Sequence, residues 1–141
     1  MLKRSFLYKG FSLIELLVVV GIIGILAAVG IVSYVGYVSS AQKTDAQNNM
    51  QAIYMVQEEY KSSSATSAYY TTSSSSSCTP SSSTHSDINT NLFGGKIQID
   101  TSDPNFVFCI SQDNSGFKIF VQRPDSSDAM TLDANNAKTG W

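Results

Sequence analysis

Apolar and polar positions change regime three times along the chain. From Leu16 to Gln42 no side chain is charged, and the run LLVVVGIIGILAAVGIV at residues 16–32 is apolar on every face. With about 20 residues needed per span, the uncharged segment is long enough to cross a bilayer. From Ala46 the pattern becomes periodic. Ala46, Met50, Ile53, Gln57 and Tyr60 recur at three- and four-residue spacing, while Lys43, Asp45, Gln47, Asn48 and Glu58 supply polar positions. That spacing predicts an amphipathic helix continuing from the apolar one and resting on a globular head. A single helix from Leu13 to Lys61 would measure about 74 Å at 1.5 Å per residue.

The third regime is polar without a period. Residues 62–86 hold thirteen Ser and five Thr in 25 positions, which compete with helix through local side-chain bonds and offer little apolar surface. This segment reads as a loop through residue 95, pinned to the head by Tyr69 and Tyr70. Strand patterns follow at Lys96–Asp100, Asn105–Ser111, Phe117–Arg123 and Ala129–Asp133, separated by Gly, Pro, Asn and Asp. Ile97 and Ile99 share one face, as do Phe117, Ile119 and Val121, with Phe120 opposite. The predicted class is α+β: a long N-terminal helix whose outer half packs on a small antiparallel sheet. Phe106, Phe108, Phe117 and Phe120 are core candidates.

Length and charge narrow the picture. With 141 residues, the chain has room for one modest domain beside the helix. Its net charge is −2, and three of its nine basic residues, Lys3, Arg4 and Lys9, precede Phe11. Without residues 1–10, six Lys and Arg face eleven Asp and Glu, a charge of −5. That balance offers no general attraction for DNA or anionic lipid. The basic segment stays on the cytoplasmic side by the positive-inside tendency, so the chain beyond about residue 37 lies across the membrane. Cys78 and Cys109 there suit a single disulfide; two buried thiols are the alternative.

Glu15 stands at the head of the apolar run. A carboxylate in hydrocarbon is costly unless it finds a partner. A signal peptide cleaved after its apolar core would lose this helix, whereas the small residue Gly10 lies before it. The stretch KGFSLIELLVVVGIIGILAAVGIVSY resembles the class III signal of type IV pilins and of the pseudopilins of type II secretion. The resemblance covers about the first quarter of the chain. It implies cleavage after Gly10 by a membrane peptidase, methylation of the new Phe11 amine, and a role for Glu15 in filament assembly against the amine of a neighbouring subunit. The family often carries a proline where this chain has Val32. Gly21, Gly24, Gly30 and Gly36 allow close helix approach.

The implied organisation is a leader at 1–10, a transmembrane and filament-core helix at 11–38, an amphipathic helix at 39–61, the Ser/Thr-rich loop at 62–95 and a sheet head with C-terminal tail at 96–141. The implied function is a structural pilus subunit. A type II secretion pseudopilin, or a minor pilin binding DNA or a surface, are the alternatives. Implied partners are copies of itself or related pilins, the prepilin peptidase, an inner-membrane assembly platform and, before assembly, membrane lipid; DNA binding is not assigned. The location would be the bacterial inner membrane with the head outside the cytoplasm, then an extracellular pilus or, in the alternative, a periplasmic pseudopilus.

No catalytic pattern, cofactor motif or metal signature is expected. His85, the single histidine, lies among serines and reads as a surface residue. Asp125, Asp128 and Asp133 lack the full spacing of a calcium loop and read as a solvated acidic turn.

Overall fold

The computed structural model describes residues 10–96, 98–99, 105–114 and 116–141. One helix, α1, covers Leu13–Ser63, two residues past the expected end. The chain divides after Ser40 into two units. In the first, α1 buries nothing: every residue from Gly10 to Tyr37 is exposed. In the second, α1 buries Ala46, Met50, Ile53 and Gln57, the face its periodicity marks out.

The second unit is a meander. Strands β1 (Val107–Asp113), β2 (Gly116–Gln122), β3 (Ala129–Asp133) and β4 (Lys138–Thr139) lie in the order β1-β2-β3-β4, each antiparallel to its neighbour. Ile110 pairs with Ile119 and Ile119 with Leu132. Alternation then places Phe108 and Ile110, Phe117, Ile119 and Val121, and Met130 and Leu132 on one face. All are buried with Met50 and Ile53 of α1. Each such side chain contributes about 1.5 to 3 kcal/mol when fully withdrawn from water. Phe120 takes the opposite face and stays half-buried, with the Lys118 ammonium 5.9 Å from its ring centre.

Gly116 opens β2 at φ 129°, and a Cβ there would lie 2.5 Å from the Tyr69 ring. The hairpin therefore needs glycine at this point for both backbone and space.

Two expectations are corrected. The Ser/Thr-rich segment is not loop throughout, because Ser82–Asn91 forms a helix, α2. Ser81 caps it: its hydroxyl accepts from the Thr84 N–H, and its own N–H donates to Thr84 Oγ1 at 3.0 Å. His85, Ile88 and Asn89 fall on one side of that helix and are buried, as is Leu92 at its C-cap. His85 is thus a core residue rather than a surface one, set edge-on against Phe108 with ring centres 5.3 Å apart.

The second correction concerns the expected strand Lys96–Asp100. Ile97 and Asp100 lie outside the described residues, and Lys96, Gln98 and Ile99 belong to no strand. Ile99 is nevertheless buried, and the buried Asn89 amide takes the place of a neighbouring strand. Asn89 Nδ2 donates to Ile99 O at 2.7 Å, while Gln98 N and Ile99 N donate to Asn89 Oδ1 at 3.3 and 3.1 Å. The fourth strand of the sheet comes instead from Lys138–Thr139.

Gln57 does the same on α1. Its Nε2 donates to Tyr70 O at 2.7 Å and its Oε1 accepts from Tyr70 N at 2.9 Å. In this paired geometry the fully buried amide satisfies both backbone groups of Tyr70 in an irregular segment. The polar residue on the apolar face of α1 is therefore a docking point for the loop. Tyr69 adds a ring contact to Phe117 at 4.8 Å and donates to Glu58 Oε1 at 2.9 Å.

Candidate assembly surface

Glu15 lies in the first turn of α1. Ser12 immediately precedes the helix, and the pair form a reciprocal cap. Ser12 N and Ser12 Oγ each donate to Glu15 Oε2 at 2.8 Å, and Glu15 N donates back to Ser12 Oγ at 3.3 Å. The four-residue signature is Ser-x-x-Glu, Ser12 to Glu15, which satisfies N–H groups that the first turn leaves open. The Ser-x-x-Glu spacing that carries this role of Ser12 is legible in the sequence. The carboxylate also sits at the positive end of the helix dipole, where negative charge is favoured.

Both donors from Ser12 converge on Oε2; among the described residues, Oε1 receives no hydrogen bond. Glu15 is the one charged side chain between Gly10 and Gln42. Around it Phe11, Leu13, Ile14, Leu16 and Leu17 are all exposed. The described surface therefore offers a continuous apolar face with one carboxylate at its end. Gly10 and Phe11 precede the cap in non-helical chain, and Phe11 is 88% exposed. The segment is long and apolar enough to cross a membrane. An exposed apolar segment of this length is suited to lipid or to other apolar helices.

Cys78 and Cys109 are bonded, with their Cα atoms 6.2 Å apart. The bond ties the serine-rich segment to β1. Among the described residues, no group of three or more His, Cys, Asp or Glu is arranged to hold a metal ion. Of the acidic residues near the C-terminus, Asp128 lies 3.9 Å from Arg123 Nε. The Asp133 carboxylate accepts the N–H groups of Asn135 and Ala137 across its own turn, each at 2.9 Å. Arg123 also donates to Gln42 Oε1 at 3.1 Å and stacks 4.8 Å over Phe106, so it joins α1 to the end of the sheet.

Residues 7–31 match the prokaryotic N-terminal methylation motif. No curated protein and no solved structure matches the chain.

Proposed function

On a chain whose N-terminal motif and long apolar helix, packed farther along against a small antiparallel sheet, match the class III signal architecture of type IV pilins and pseudopilins, we infer a structural subunit of a type IV pilus. The observation that carries this reading is the exposed apolar segment of α1 with Glu15 at its head. Before assembly, lipid solvates that face. Within a filament, the corresponding helices of neighbouring copies take the place of lipid, and the head remains outside the bundle.

Processing between Gly10 and Phe11 by a prepilin peptidase leaves a new amine four residues before Glu15, and that amine is then methylated. In the filament, Glu15 Oε1 accepts from the Phe11 amine of an adjoining copy. Pairing compensates two charges that apolar surroundings would otherwise penalise. It also fixes the axial position of one subunit against the next. The reading is structural rather than enzymatic.

Intact mass and N-terminal sequencing of the membrane-extracted chain, together with its recovery in sheared surface filaments, test this proposal. A mature chain beginning with methylated Phe11 and present in filaments is expected. A chain retaining Met1, or one confined to the membrane fraction of filament-bearing cells, would overturn it.

A further inference from the structure

The outward edge of β1 is covered by chain that is neither a strand nor part of the apolar core. Alternation along an antiparallel strand turns the backbone of Phe108, Ile110 and Gln112 away from β2. Phe108 O accepts from Thr84 Oγ1 at 2.8 Å. Ile110 O accepts from Thr72 N at 2.8 Å and Thr72 Oγ1 at 2.9 Å, while Ile110 N donates to Thr72 Oγ1 at 2.9 Å. Gln112 N donates to Ser73 O at 3.3 Å. Serine and threonine thus occupy the place of a fifth strand, with a single parallel bridge between Ser73 and Ser111.

Beyond Thr72 and Ser73 this strap is weakly held by its own side chains. Every residue between Ser73 and Cys78 is serine, and Ser74–Ser77 are exposed. Beyond the bridge, Ser111 Oγ donates to Ser76 O at 3.3 Å, and then the chain reaches the bond from Cys78 to Cys109. Each such hydrogen bond shifts docking only about two- to tenfold. The segments on either side have separate anchors. Upstream, Tyr70 is clamped by the buried Gln57 amide; downstream, α2 is capped at Ser81 and buries Ile88.

We propose that the Cys78–Cys109 disulfide is a redox latch on the Thr72–Cys78 strap, and that opening it uncovers the β1 edge while the rest of the head stays folded. A dithiol reductant supplies the chemistry. One thiolate attacks a cystine sulfur and releases the other as thiolate. The reductant's second thiolate then displaces the protein sulfur, leaving two protein thiols after protonation and an oxidised cyclic disulfide. Two electrons pass from reductant to protein. With the covalent tie gone, Ile110 N–H and C=O and Gln112 N–H lose their partners. A sheet edge carrying unpaired backbone groups is a template for another extended segment.

Residue-resolved hydrogen exchange on the full chain in detergent micelles, before and after dithiothreitol reduction and alkylation, tests the latch. The expected result is at least tenfold faster exchange at Thr72, Ser73, Ile110 and Gln112, with Lys118 to Val121 of β2 unchanged. The double substitution Cys78→Ser and Cys109→Ser should reproduce the pattern without reductant, which separates loss of the bond from bulk introduced by alkylation. Unchanged protection at Ile110 and Gln112 in both samples would overturn the proposal. So would simultaneous loss of protection across β2, because the bond would then act on the whole head rather than on the strap.

Discussion

Glu15 and Ser12 hold each other through three hydrogen bonds, two into Oε2 from the Ser12 N–H and hydroxyl and one from Glu15 N to the Ser12 hydroxyl. The same carboxylate thus caps its own helix while lying exposed at the head of the apolar run. A filament role for Glu15 requires the external amine to meet a side chain already oriented by Ser12, which lowers the conformational cost of pairing.

Substitutions separate capping from charge. Glu15→Gln keeps an acceptor for the Ser12 N–H but removes the ionised group. Cleavage after Gly10 should persist, whereas sheared filament yield should fall at least tenfold. Ser12→Ala should cost about 1 kcal/mol of helix-start stability and reduce filaments less. Comparing processed chain with sheared filaments in matched cells measures both effects. Wild-type filament yield from processed E15Q chain would reject the requirement for charge.

The clamp at Gln57 should be expensive to lose. Gln57→Leu retains similar volume but leaves Tyr70 N–H and C=O without their amide partner. Destabilisation of about 1 to 3 kcal/mol is expected, read by urea unfolding of the micelle-bound chain with near-ultraviolet circular dichroism. Leucine fits the apolar face of α1, so unchanged stability would mean that burial rather than hydrogen bonding governs the site.

Asn89→Leu tests the amide that replaces a strand. Exchange at Gln98 and Ile99 should accelerate, because both N–H groups donate to Asn89 Oδ1. The β1 to β3 amides should stay protected. Loss of protection throughout the sheet would show that Asn89 supports the whole head instead.

Burial holds the Tyr70 phenol above its ordinary pKa of 10.0; the Coulombic influence of Asp87 and Tyr60 reinforces the shift, and the hydrogen bond from Asn91 opposes it. The folded state therefore favours the neutral phenol. Its contribution is complete below pH 10 and is lost as pH rises through the elevated folded-state value. Deprotonation also removes donation from Tyr70 Oη to Asp87 O, 3.3 Å away. The difference in tyrosinate absorbance between wild type and Tyr70→Phe should titrate above pH 10. A midpoint at or below that value would contradict the environment described.

By itself the sequence determined the apolar helix, its amphipathic continuation and most of the sheet. Ala46, Met50, Ile53 and Gln57 repeat with the helical period, and Phe117, Ile119 and Val121 alternate with the strand period; periodicity carries such faces because backbone geometry repeats along them. The cap joining Ser12 to Glu15 was equally local and legible. Only the tertiary structure decided what the polar residues of the head do. The segment around His85 has too little apolar content to announce a helix, yet Ser81 caps it and Phe108 covers the imidazole. Ile99 carries the signature of a strand, but its backbone is satisfied by Asn89 from α2, and two residues near the C-terminus complete the sheet. Buried amides and serine hydroxyls can replace strand pairing only where distant chain places them within hydrogen-bond distance, and a local pattern does not encode that distance.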